Sequence, residues 1–358
     1  MTKKQLSKIL TQLNILKENN GLEIVDSHVH PLDVMGVVHH SETKFICPDH
    51  DMIAYRKPGL MERLNYGVLE KLGSKLYFKL NSAGVKKMIK KTYSEVNDMR
   101  IINEMKIALV DQSVLLALDP WVPTNLVGDQ YSSDRKFCIL GSLDIHNIES
   151  GMIDGLIRTY IEKYNIIGIK MHPNLQNFKP EPSRNGEVIA ERLRKLYSVI
   201  RKNNLYLLLH GGISNFTRDI NLKYGAIHRS KDNGLLENFF DVFGRSELFS
   251  SGFPIIIAHL GHYGTVNVNY KLLHKICSDY SNIFFDTSGV SAAVIQKSLA
   301  LLPSDRVIFG SDALYNRTAY NIAFLYEAVM NSNNKADKIS MLHNIFYRNI
   351  RGLITKKL

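Results

Sequence analysis

The apolar positions of this chain follow two alternating rhythms. Short apolar runs occur at 24–29, 114–118, 137–143, 166–171, 205–209, 254–258, 283–285 and 307–309, each with the length and composition of a buried parallel strand. Between most of them, at 151–164, 187–202, 234–249, 270–280 and 294–302, apolar residues recur three and four apart and predict amphipathic helices. Two further helical stretches, 320–330 and 335–353, finish the chain. One join breaks the rhythm: 119–136 reads as loop.

Eight strands alternating with helices over this length favour an α/β fold of the (β/α)8, TIM-like barrel type. An open doubly wound sheet is disfavoured because no Gly-rich dinucleotide fingerprint follows the first strand. Ahead of the barrel, Leu6, Ile9, Leu10, Leu13 and Leu16 form a helical stripe that stops at Asn19-Asn20-Gly21. The pattern predicts an N-terminal helix within 1–21, packed over the barrel bottom or on a partner, followed by a single barrel domain over 22–358. The stretch 31–103 is far longer than an ordinary strand-to-helix join. It carries helical patterns at 59–72 and 85–105 and holds His39, His40, His50, Tyr55 and Arg56. Placed directly after the first strand, it is expected to act as a lid-like insertion or pocket wall.

Composition narrows the class. Hydrophobic residues at 45% and charged residues at 22% describe an ordinary globular chain. Cys47, Cys138 and Cys277 are far apart and form no CxxC pair, so neither a zinc knuckle nor a disulfide framework is expected, and a reducing cytoplasm is the simplest home. The N-terminal segment lacks the apolar run of a signal peptide, and no window approaches the roughly 18 apolar residues of a membrane span. A net charge of +11 would suit an acidic partner, yet the lysines are scattered or sit on helix faces and ends, as at Lys86 to Lys91, Lys356 and Lys357. No nucleic acid or membrane partner is therefore expected; a small-molecule substrate is, with self-association left open.

The ends of the runs carry the chemistry. His28 and His30 are spaced i, i+2, so in a strand they share a face and form a ready chelate. Later strand ends add Lys170 and His172, His210, His259, Asp286 and Asp312. Burying such groups unpaired at one barrel mouth costs several kcal/mol apiece, and a metal ion removes that cost. Asp286 and Ser288 are candidates to accept hydrogen bonds at the site, although a strand-end aspartate often only caps the next helix. His39, His40, His50 and Cys47 read as ordinary insertion residues.

These segments, VDSHVHP, IIGIKMHP, LLLHGG, IIIAHLGH, NIFFDTSG and IFGSDAL in strand order, resemble the amidohydrolase superfamily and within it amidohydrolase family 2. The likeness covers roughly 22–353 and includes a closing helix from His343 to Arg351. It implies that His28, His30, His210 and Asp312 hold a divalent metal, usually zinc, one per chain. His259 is then the non-ligand histidine that polarises substrate or moves a proton, and Asp312 doubles as the base. Lys170 is a departure: in dinuclear members a lysine on that strand is carbamylated and bridges two metals, so a second ion is an alternative. His262 stands where the family often has a second glycine.

The implied reaction is hydrolysis of an amide or ester/lactone bond by metal-activated water. Arg56, Arg218, Arg229 and Arg317 lie in segments able to reach the mouth, pointing to a small anionic substrate held by Lys170, His172 and Arg317. The main rival is a non-oxidative decarboxylase of a carboxylated ring or muconate-type acid at the same site. Against a metal-dependent nuclease, no concentrated Lys/Arg cluster or aromatic stacking run flanks the strand ends of this chain, and a metal-bearing scaffold without turnover leaves the acid/base set unexplained.

Overall fold

Eight parallel strands pair strictly in sequence order: β1 (Val25–Val29), β2 (Gln112–Leu116), β3 (Phe137–Gly141), β4 (Gly168–Met171), β5 (Tyr206–Leu209), β6 (Ile255–Ile257), β7 (Ile283–Asp286) and β8 (Val307–Ile308). The structure, a computed structural model, describes residues 1–45, 82–93, 95–96, 98–214, 230–263, 268–332 and 337–354. The ring closes between β1 and the chain leaving β8. Ser27 N donates to Phe309 O at 3.0 Å, Asp312 N donates to His28 O at 2.9 Å, and His30 N reaches Ala313 O. With its helices outside, this is a (β/α)8 barrel.

Period-2 alternation sorts the interior by height. Val114 and Leu116, Leu140, Tyr206 and Leu208, Ile256 and Ala258, and Ile308 form one buried apolar cluster. Two residues further along the same faces, Leu208 gives way to His210 and Phe284 to Asp286, while β4 presents Lys170 and then His172. The lumen is thus apolar below and ionisable at the C-terminal mouth.

The helices among the described residues are α1 (Lys3–Asn20), α2 (Ser82–Tyr93), α3 (Asp98–Ala108), α4 (Thr124–Tyr131), α5 (Ile153–Tyr164), α6 (Glu187–Lys202), α7 (Tyr270–Asp279), α8 (Ala292–Leu299), α9 (Thr318–Met330), α10 (Lys338–His343) and α11 (Asn349–Ile354). None is long and apolar enough to cross a membrane. Helix α1 begins with a capping box, in which Thr2 Oγ1 accepts from Gln5 N and Thr2 N donates to Gln5 Oε1. It ends at left-handed Gly21, φ +61°, as the Asn-Asn-Gly signal predicts.

Three expectations change. Helix α1 packs against α9, and the barrel bottom is covered instead by α11, whose Ile350, Leu353 and Ile354 join the lumen cluster. The stretch 119–136 contains a real helix, α4, hidden by its shortness and by Gly128, which is needed because a Cβ there would lie 2.4 Å from the Tyr164 ring. The stretch 234–249 holds no α-helix, only two tight turns, Leu236–Phe239 and Phe249–Ser251. Asp241 Oδ1 accepts from Phe243 N and Arg245 N, and Gly244 adopts φ +77°, a local turn that overrides the apolar spacing.

Within 31–103, the helical pattern at 85–105 splits into α2 and α3, and Lys44–Phe45 pairs in parallel with Glu95–Val96. The described portions on either side of the first strand's end meet it: Tyr93 Oη donates to His30 O at 3.3 Å, and Val34 N to Tyr315 Oη at 2.8 Å. Cys47, His50, Tyr55, Arg56, the pattern at 59–72, Arg218 and Arg229 lie outside the described residues.

If α11 is a structural plug, Ile350→Ala should cost about 2–5 kcal/mol in chemical unfolding. Metal affinity should stay unchanged, since the lumen's apolar layer separates Ile350 from the mouth. An unfolding midpoint equal to that of the parent protein would contradict the plug.

Candidate metal centre

His28, His30 and Asp312 each offer a ligand atom, and these atoms all lie within 4.8 Å of one another in a buried pocket at the barrel mouth. His28 Nε2 stands 3.2 Å from His30 Nε2, and Asp312 Oδ1 stands 3.7 Å from the first and 3.5 Å from the second. A tetrahedral ion with bonds of about 2.0–2.1 Å requires ligand separations of about 3.3 Å. The observed edges fit that requirement.

Hydrogen bonding decides which ring nitrogens are bare. His28 Nδ1 meets Asp286 Oδ2 at 2.8 Å, and a carboxylate only accepts, so Nδ1 carries the proton and Nε2 is a lone pair. Among the described residues, His30 Nδ1 and His210 Nε2 are buried with no hydrogen-bond partner. His28 Nε2, His30 Nε2 and Asp312 Oδ1 converge and fit a divalent cation, with His210 Nε2 as a further lone pair; His30 Nδ1, across its ring from Nε2, points away from that spot and is no ligand there. His210 itself stands outside the three-residue group. Its ring stacks on His172 with centroids 3.9 Å apart and planes at 11°. His172 serves as that backing ring, its Nδ1 accepting from Leu175 N at 3.3 Å.

Burial governs the electrostatics. It lowers the basicity of His28, His30 and His210 well below the ordinary histidine range, and that of His259 to about 3. All are neutral bases at neutral pH. Burial likewise brings Lys170 down to about 8 against the pull of Asp286 and Asp312, and pushes Asp312 up to about 8 although Lys170 opposes the shift. A cation beside Asp312 reverses that carboxyl shift. Lys170 is 1% exposed. His259 lies beside His28 and His210, ring centroids 5.1 and 4.8 Å away, and its Nδ1 donates to Ser288 O at 2.7 Å. Arg317 is half-buried at the N-cap of α9.

Several residues of the mouth were not singled out from the sequence. Asn316 Nδ2 donates to Asp312 Oδ2 at 3.0 Å, which leaves Oδ1 for the histidines. Asp26, beneath the site, accepts from Ser311 N at 2.9 Å and from the Ser311 hydroxyl, which ties β1 to the Asp312 turn; burial lifts its carboxyl to about 7. Tyr263 lies over His259 and His210, centroids 4.7 and 5.5 Å away, and Tyr315 over His30 at 5.5 Å. Asp33 accepts from the Tyr315 hydroxyl and from Met35, Val37 and Val38 N at 2.7–2.8 Å. Tyr315 and Asn316 lie three and four residues past Asp312, so proximity in sequence was their one available signal. Asp33 and Tyr263 had none. His39 and His40 stay out of the site: His39 Nδ1 bonds Ser41 Oγ at 2.6 Å and His40 Nδ1 bonds Trp121 O at 3.0 Å. His262 Nδ1 donates to Leu260 O and its Nε2 accepts from Asn269 N, each at 2.6 Å, so it braces its own loop.

An amidohydrolase family model matches residues 154–351. Among solved structures, the chain is similar to 5-carboxyvanillate decarboxylase from Sphingomonas paucimobilis, at TM-score 0.54 and 12% identity over 93% of this chain and 99% of that one. It is similar to 5-carboxyvanillate decarboxylase from Novosphingobium aromaticivorans, complexed with manganese and 4-hydroxy-3-methoxy-5-nitrobenzoic acid, at TM-score 0.55 and 16% identity over 94% and 97%. A probable 2-pyrone-4,6-dicarboxylic acid hydrolase from Acinetobacter baumannii, with citric acid bound, is similar at TM-score 0.52 and 12% identity over 93% and 100%. At such identities the likeness is one of fold. No curated protein sequence matches.

The Tyr315 hydroxyl joins the Asp312 loop to the start of the 31–103 stretch. Tyr315→Phe should cost about 1–3 kcal/mol by leaving Val34 N without its acceptor and removing one of the donors to the buried Asp33 carboxylate. Amide hydrogen exchange at Val34, Val37 and Val38 should accelerate; unchanged protection at all three would disprove the tie.

Proposed function

The chain belongs to the amidohydrolase family, and on that premise we propose that it is a metal-dependent hydrolase cleaving an amide or ester/lactone bond of a small, carboxylate-bearing substrate. The observation that carries this reading is the convergence of His28 Nε2, His30 Nε2 and Asp312 Oδ1 within one buried pocket. We take the ion to be zinc, one per chain, held by these three with His210. When bound it supplies Lewis acidity and brings the ionisation of water toward neutral pH.

The remaining roles follow from this chain's own groups. Asp312, with Oδ2 steadied by Asn316, takes the proton of the attacking water and passes it to the leaving group. His259 donates through Nδ1 to Ser288 O, so its Nε2 accepts a proton or a hydrogen bond from water. Lys170, buried between the pulls of Asp286 and Asp312, is the cation left to stabilise an oxyanion or to pair with a substrate carboxylate. With one metal per chain there is no second ion to bridge, so it is taken as an uncarbamylated amine. His172 backs His210, and Arg317 stands at the start of α9, where a substrate anion entering the mouth would meet it. We read 22–358 as one domain with 1–21 as an appended helix and 31–103 as the wall of the mouth.

Purified protein should contain about one zinc per chain, and His28→Ala, His30→Ala and Asp312→Asn should each lower that content in elemental analysis. Full metal retention in all three variants would overturn the site. Against a panel of carboxylated lactones, esters, amides and phenolic acids, acid release by pH-stat is expected. Carbon dioxide release without hydrolysis would keep the site and make the enzyme a decarboxylase, as in the named 5-carboxyvanillate enzymes.

A further inference from the structure

Asp286 ends β7 with its side chain fully buried, and the ordinary duty of such an aspartate belongs to another residue. Helix α8 is capped by Ser291, whose hydroxyl accepts from Val294 N. The Asp286 carboxylate instead receives four donors. Oδ2 takes His28 Nδ1–H at 2.8 Å; Oδ1 takes His259 N–H at 2.8 Å, Ser288 N–H at 3.0 Å and the Ser288 hydroxyl.

Each contact fixes something different. An acceptor-only carboxylate leaves His28 a single neutral tautomer, Nδ1–H, and so bares Nε2 toward His30 and Asp312. The bond to His259 N is made at a residue held in the left-handed region, φ +59° and ψ +32°, with Leu260 beside it at φ +50°. Such a backbone is strained for an ordinary residue and persists only where its surroundings enforce it. The Ser288 hydroxyl also touches both rings, 3.2 Å from His28 Nδ1 and 2.9 Å from His259 Nδ1.

We propose that Asp286 is the positioning residue of this site: one carboxylate sets the tautomer of His28, so that Nε2 is free for the metal, and pins the strained turn that carries His259. This rests on the reading of His28 as a metal ligand, and the test keeps the two apart.

In Asp286→Asn the volume is unchanged, and three donors hold the amide oxygen on the Oδ1 side. Its NH2 must then face His28 Nδ1. Donor would meet donor, and His28 must turn over to the Nε2–H tautomer, capping its own ligand atom. Two-bond proton–nitrogen spectra of the full-length, metal-free, nitrogen-15 histidine-labelled protein read this directly, with the His28 signals assigned by their loss in His28→Ala. The parent should show His28 as Nδ1–H and Asp286→Asn should show it as Nε2–H, while zinc affinity by chelator competition falls about 10–100-fold. Ser288→Ala, which leaves Oδ2 on His28, should keep the Nδ1–H form; a loss of that form in both variants would mean general loosening of the pocket and would overturn the proposal.

His28 remaining Nδ1–H in Asp286→Asn would also overturn it. A flip with zinc affinity unchanged would confirm the tautomer lock yet remove His28 from the ligand set, which is the failure of the metal reading alone. Should Asp286→Asn not fold, the parent spectrum decides: Nδ1–H upholds the assignment and Nε2–H sinks it.

Discussion

The constraint on which this molecule turns is the burial of bare nitrogen lone pairs at the mouth of an apolar barrel. Below them the lumen is Leu116, Leu140, Leu208, Ile256 and Ile308, which offer no hydrogen bond. A histidine in such surroundings stays neutral and must find a donor, an acceptor or a cation for each nitrogen. His28 and His259 spend Nδ1–H on acceptors, Asp286 and the Ser288 carbonyl. His210 Nε2 is buried with no hydrogen-bond partner among the described residues, and His30 Nε2 faces His28 Nε2 and Asp312 Oδ1. The pocket is polarised toward acceptors, and a cation is the species that satisfies acceptors gathered in one place.

Strand period and barrel closure together bring these acceptors to one height. Along β4, β5 and β7 the ionisable group lies two or four residues beyond an inward position already committed to the core. The last contributor arrives differently. Asp312 lies past β8, where the ring closes by irregular bonds between Ser27 and Phe309 and between Asp312 and His28. Its backbone sits at φ +60°, and Asn316 and the Asp26–Ser311 pair brace the turn. The seam that completes the barrel also delivers the carboxylate, so closure of the fold and assembly of the site are one event.

Much of this was legible beforehand for a specific reason. Parallel strands buried on both faces leave long apolar runs, and an imidazole or carboxylate ending such a run has no structural excuse. That logic reached His28, His30, Lys170, His210, His259 and Asp312. It failed where local chemistry outranked pattern. Asp241 and Gly244 undid the helical spacing at 234–249, and Gly128 disguised α4 because its missing side chain serves Tyr164 rather than a turn. It also failed wherever a role needs two distant segments. Asp33 meets Tyr315 across the whole chain, and nothing in DVMGVV announces the meeting. Asp286 was visible, but its choice between capping a helix and holding two histidines depended on Ser291 taking the cap.

Metal binding and stability are linked through the same groups. Without a cation, burial opposes charge on Asp312, and His210 Nε2 has no hydrogen-bond partner among the described residues. Each such group costs about 1–3 kcal/mol, a large share of the about 5–15 kcal/mol that holds a domain together. A cation that binds the folded chain and not the unfolded one returns that cost, adding about 2.7 kcal/mol at a free concentration one hundred times its dissociation constant. The site is therefore a region of strain before it is a region of catalysis. The wide bracing by Asp286, Asn316, Asp26 and Ser311 follows as a physical need, because a pocket built of acceptors would otherwise collapse or admit water until each nitrogen found a donor.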